Sequence, residues 1–189
     1  GNWDQAIGIL TVPVFFLLGT MLSAYLIDYR FHRGKHPHYD WVMLLEFLCL
    51  SLVAAGGHYH MFGLFGEALH LRQDYLLLSL LCLASGLQNA AITTASGASV
   101  RTTHLTGLTT DLGIGIVRAI GYDKHPQERA MEVQANWVRL GTIISYIGGS
   151  LIGAVLFLKL HYLGFILPAS LALYAMIQAV KEKDYLGRH

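Results

Sequence analysis

The stretch "YLLLSLLCLASGLQNAAITTASGASVRTTHLTGLTTDLG", residues 75–113, decides how the chain is read. Its first half, 75–95, is long and apolar enough to cross a bilayer, because about 20 helical residues span ~30 Å of hydrocarbon. Its second half is dense in hydroxyls and adds an arginine, a histidine and an aspartate. The amide pair Gln88-Asn89 stands about two-thirds along the apolar half, where an unpaired amide is costly. The stretch therefore joins a membrane span to hydrogen-bonding groups stationed at or near bilayer depth.

The rest of the chain suits that setting. Of 189 residues, 54% are hydrophobic and 13% charged, with a mean hydropathy of +0.48, whereas soluble domains are about a quarter charged. One domain, 1–189, accommodates this length. A formal charge of +1, with the basic residues divided among short segments, leaves no footprint for nucleic acid. Cys49 and Cys82 fall inside apolar runs and read as small buried hydrophobes. Residue 1 is Gly, which reads as the start of a piece rather than of a whole protein.

Five runs are expected to span: 6–27, 41–57, 75–95, 141–160 and 164–180. The second and fifth are short, and length alone leaves them between spans and buried core helices. Eleven of the 13 Lys and Arg residues lie between spans one and two, around the segment between spans three and four, or in the tail. The rule that basic loops stay cytoplasmic then puts Gly1 outside and His189 on the cytoplasmic side. Trp3, Trp41, Trp137, Tyr75 and Tyr162 fall near span ends, as an aromatic belt requires.

The first and fourth runs share a beginning, Asn2-Trp3 and Asn136-Trp137, and a small-residue cluster, "LGTMLSA" and "IGGSLIGA". Running in opposite directions, they fit inverted three-helix repeats of the kind found in secondary transporters, with one helix missing ahead of Gly1. Ordinary small-residue packing between helices is the competing explanation.

A helix is expected over 103–120, capped by Thr102 or Thr103. At 100° per residue, Leu105, Leu108, Leu112, Ile116 and Ile120 form one side, and His104, Gly107, Asp111, Gly115 and Arg118 the other. Three placements are open: an interfacial helix with a solvated polar side, a broken or re-entrant element facing Gln88 and Asn89, or a sixth crossing that would reverse everything after it. Arg101 and the free N–H groups near Thr103 favour an anion or a carbonyl-bearing solute. Asp111 is an alternative partner for Arg101, His104 or Arg118.

Gln88-Asn89, Arg101-Thr102-Thr103-His104, Thr106-Gly107, Thr110-Asp111 and Gly113 together resemble the YoaK-like family of bacterial multi-pass membrane proteins, a domain of unknown function. The likeness runs over the whole chain. It implies six helices in the full-length protein, the first of them absent here, and supplies no activity.

The expectation is therefore an all-α polytopic transmembrane bundle moving a small polar or anionic solute, without cofactor or metal. Its polar site is expected to draw on Gln88, Asn89, Arg101, Thr103, His104, Thr106, Gly107 and Asp111. Glu46, an acid inside the second span, and His104, which titrates near neutral pH, are candidates for proton coupling. His58–His60 and the group His32, His36 and His38 admit metal binding, but no Cys or carboxylate set accompanies them. The expected partners are the lipid bilayer, the solute and, as an option, a second copy of the chain. Two rival functions remain: an intramembrane enzyme using His104 and Asp111 on a lipid or quinone, and a scaffold without transport.

Overall fold

A computed structural model describes residues 3–66, 72–96, 105–121 and 125–186. Every regular element among them is helical: α1 (Trp3–Ala24), a π-helical segment (Tyr25–Tyr29), the single turn α2 (Arg30–His32), α3 (Tyr39–His58), α4 (Arg72–Ala95), α5 (Leu105–Gly121), α6 (Pro126–Leu160), a 3-10 segment (His161–Phe165) and α7 (Ile166–Leu186). Four helical stretches are long and apolar enough to cross a membrane: Leu10–His32, Tyr39–His58, Gln73–Ala95 and Pro126–Lys183, the last containing both α6 and α7. Large apolar side chains face outward along these helices. Leu17 is 57% exposed, Leu52 56%, Leu158 79% and Leu171 59%. Such a surface is a liability in water and the required one in lipid.

The chain forms two compact units, one of residues 1–91 with 155–189 and the other of 92–154. In the first, α3 is the centre. It packs along α7, and the two run antiparallel: Asp40 at the start of α3 meets Lys183 near the end of α7, while Gly57 at the other end lies against the Tyr162 ring. Ile27, Val42, Leu87 and Ala91 form one buried cluster. Cys49, Leu50, Ala84 and Ala169 form another, further along α3. The thiols behave as small apolar groups, Cys49 buried and Cys82 half-buried, neither in a disulfide.

Gly19 and Gly86 bring α1 and α4 into backbone contact. A Cβ on Gly19 would strike the Leu83 carbonyl oxygen, and one on Gly86 would strike that of Phe16. Only glycine allows helices this close, the packing economy of membrane bundles. α1 is also interrupted twice, by Pro13 inside it and by the π segment at its end.

The 30–38 connection is closed locally. The Arg30 Nε donates to the His36 carbonyl at 3.2 Å, and the His38 N–H donates to the Leu26 carbonyl at 3.0 Å. At the opposite end of α3, Gly63 is held from two sides. Its N–H donates to Asp74 Oδ1 at 2.8 Å, and its carbonyl accepts the Tyr162 hydroxyl at 2.7 Å.

In the second unit, the fourth expected span starts earlier than its apolar run. By its sequence the stretch "YDKHPQERAMEVQAN", 122–136, is expected to be a loop with its own interfacial helix starting near Pro126, but α6 begins at Pro126 and continues unbroken to Leu160, 35 residues, or ~52 Å of rod. Pro126 opens it as a proline should, and nothing between 126 and 141 stops a helix. Trp3 opens α1, whereas Trp137 lies three turns inside α6, so the two Asn-Trp pairs do not occupy equivalent helix positions. The helix expected at 103–120 is observed as Leu105–Gly121, with its expected caps Thr102 and Thr103 outside the described residues.

Candidate functional site

The most unusual chemistry lies inside the first unit. Gly19 and Ser23 are four apart on one face of α1, and Ile27 follows in the π segment. Gly19 touches α4, Ile27 belongs to the first cluster, and Ser23 between them is 0% exposed. On α3, Val42, Glu46 and Cys49–Leu50 follow the same rule: Val42 is in the first cluster, Cys49 and Leu50 in the second, and Glu46 between them is 5% exposed. The two helices run antiparallel through a short connection, so one turn back from Ile27 and one turn on from Val42 is the same depth. Ser23 and Glu46 are each one turn from the Ile27–Val42 contact, two buried polar groups at a similar level with no hydrogen bond between them, and that level is the polar layer of the bundle. Glu46 stands ~10 Å along α3 from Tyr39.

Neither group is satisfied by the protein. Ser23 Oγ and Glu46 Oε2 are both buried without a hydrogen-bond partner. Thr20, one turn from Phe16, shows the ordinary solution for a hydroxyl in an apolar helix, donating to the Phe16 carbonyl at 3.0 Å; Ser79 does the same to Tyr75 at 2.7 Å. A buried unmade hydrogen bond costs about 1–3 kcal/mol, and an uncompensated buried charge several. Native structures keep few such groups. The π segment begins at Tyr25, two residues beyond Ser23, and interruptions of this kind concentrate at functional sites.

Two smaller features flank this layer. At the start of α3, the Lys183 Nζ reaches Asp40 Oδ2 at 3.2 Å, and the His38 ring lies 3.3 Å from Asp40 Oδ1. At the far end, a hollow of about 380 Å³ is lined by His58, His60, His161, Leu64 and Tyr162 among others. His60 and His161 both adopt left-handed backbone, φ 57° and 50°. Among the described residues, no three His, Cys, Asp or Glu side chains gather closely enough to hold a metal ion.

The residues expected to share one polar site are distributed as follows. Gln88 is exposed and Asn89 half-buried on α4, in the first unit. Thr106, Gly107 and Asp111 are exposed on α5, in the second. Arg101, Thr103 and His104 lie outside the described residues.

The polar side of α5 divides within its own unit. Gly115 is buried, and a Cβ there would collide with the Asn136 and Arg139 side chains. Arg118 lies 3.9 Å from Glu132, which also meets Arg139 at 3.3 Å. Thr109 and Thr110 turn their hydroxyls back to the Leu105 and Thr106 carbonyls. On the apolar side Leu108 is buried, while Leu112, Ile116 and Ile120 border an open groove of about 340 Å³ with Trp137 and Val133 of α6. Glycine at 115 thus serves close packing against α6.

Glu46 was legible as an acid in an apolar run. Ser23 was not, because a serine in a membrane helix ordinarily bonds back to its own backbone. The available signal was its place midway between Gly19 and Ile27.

A sequence profile of DUF1275, described as a protein of unknown function, matches residues 1–178. No curated protein matches the chain, and no solved structure does.

Proposed function

We propose, for a chain that belongs to the DUF1275 family of proteins of unknown function, that it is an integral membrane transporter of a small polar or anionic solute. The observation that carries the reading is the Ser23–Glu46 layer: two polar groups buried within spans, unpartnered by protein, in a bundle whose neighbouring layers are apolar. An intramembrane acid is rare, costly and functional by default. A structural scaffold gains nothing from it, since an apolar residue of similar volume there would stabilise the fold.

The orientation proposed is the one that keeps basic ends together. The Asp40–Lys183 contact draws the end of α7 to the end of α3 that follows Arg30, Arg33 and Lys35. With positive segments cytoplasmic, this supports an inner-membrane protein with a cytoplasmic C-terminus. Within the second unit, Thr106, Gly107 and Asp111, exposed on α5, are proposed to offer their polar groups to the solute.

The test is flux. Proteoliposomes holding the chain are expected to take up members of a panel of labelled small carboxylates and amino acids faster than protein-free vesicles. Glu46→Gln is expected to lower that uptake at least tenfold without changing the thermal melt. Vesicles that stay as tight as protein-free ones to the whole panel, with the protein folded, would end this reading.

A further inference from the structure

Resting on that reading, we infer that the Ser23–Glu46 layer is a proton-loading site, in which Glu46 carries one exchangeable proton per transport cycle and the Ser23 hydroxyl passes it on. The geometry narrows the occupant. Hard metal cations such as Ca²⁺ and Mg²⁺ take six or more oxygen ligands, whereas among the described residues no three His, Cys, Asp or Glu side chains gather to hold a metal ion, and the clusters on either side of Glu46 are apolar. A carboxyl needs only one proton to become neutral, and neutrality is what a site between two apolar clusters demands.

The serine supplies what a carboxyl alone lacks. A hydroxyl both donates and accepts, so once the Glu46 side chain turns to it, a bond not made in this structure, it can receive a proton on one side and release one on the other. Uptake forms one O–H bond on the Glu46 carboxylate with a proton drawn from water at one membrane face. Release breaks that bond and returns the proton to water at the other face. No electron changes hands.

The titratable groups on the packed elements lie mostly toward the helix ends. α1 carries Asp4 and the π segment Tyr25, Asp28 and Tyr29; α3 carries Tyr39, Asp40, His58 and, one turn from Glu46, Cys49; α4 carries Arg72, Asp74, Tyr75 and Cys82. On α7 the cations at this end are Lys181 and Lys183, the latter engaged with Asp40 and His38. The helix wall beside Ser23 is the π segment, whose extra residue per turn is a natural place for the ladder to change register.

Difference infrared spectroscopy on the full chain in lipid nanodiscs tests this without any solute. As pH is stepped, a carboxylic-acid C=O band is expected to rise and fall reversibly. The band is expected to disappear in Glu46→Gln and to shift, without loss, in Ser23→Ala. Deuterium exchange of the same band in the unsubstituted protein gives a reading that needs no variant. A band that never changes with pH, or that persists in Glu46→Gln, overturns the site. A band abolished by replacing choline with sodium overturns the proton as its occupant. Reversible protonation of Glu46 in a protein that passes no solute would uphold this site while removing the transporter reading. Flux that survives Glu46→Gln unchanged would do the opposite.

Discussion

Gly19 and Gly86 lie at a crossing where each helix presses on the other's backbone: a methyl on Gly19 would meet the Leu83 carbonyl, and one on Gly86 the Phe16 carbonyl. Neither obstacle is a side chain that can swing away. Gly19→Ala and Gly86→Ala are therefore each expected to cost about 1–3 kcal/mol, as overpacking does, read as a lowered melting temperature in detergent. Gly149, with open space around it, is the control, and alanine there is expected to change stability by less than about 0.5 kcal/mol. Equal effects at all three positions would refute the close crossing.

Tyr162 ties the 59–66 loop to the turn between α6 and α7. Tyr162→Phe keeps the ring against Gly57 and removes only the hydroxyl that Gly63 accepts. The expected loss is about 0.5–1.5 kcal/mol, that of one hydrogen bond at a partly buried carbonyl. Hydrogen exchange should localise the loosening to residues 59–66. A globally uniform change would speak against the latch.

The Asp40–Lys183 pair is partly exposed, its lysine 39% and its aspartate 15% accessible. Its coupling in a double-mutant cycle, Asp40→Asn with Lys183→Met, is accordingly expected at about 0.2–1 kcal/mol. Raising salt should shrink it. A coupling of zero at low salt would place the two ends apart.

Thiol labelling checks the faces of α5. With Cys49 and Cys82 replaced by alanine, a cysteine at Asp111, which is exposed, should react with a membrane-impermeant maleimide. One at Leu108, 6% exposed, should react at least tenfold more slowly. The reverse order would rotate the helix by half a turn.

Much of the bundle could be read from hydropathy alone. The expected spans 41–57 and 75–95 fall inside α3 and α4 to within three residues at either end, because helix length and bilayer thickness are the same constraint. The extension of α6 back to Pro126 escaped notice because apolarity stops at Gly141 while helical backbone does not. The π segment is hidden for a related reason: Tyr25-Leu26-Ile27-Asp28-Tyr29 contains no residue that breaks a helix.

The polar site was harder. Local spacing put Gly107, Asp111, Gly115 and Arg118 on one side of α5, but which of them meets another helix depends on the partner surface. Asn136 and Arg139 claim Gly115. Ser23 becomes notable only when its level is compared with that of Glu46, 23 positions later.

Pro13 and the π segment also divide α1 mechanically. A proline cannot donate to the preceding turn, and a π turn spreads its bonds over an extra residue, so each is a compliant coupling on an otherwise stiff axle. The piece between them bears on α4 at Gly19. Bending at either coupling therefore moves the helix ends beyond it, while the piece that carries Ser23 stays pinned to its neighbour at the glycine crossing.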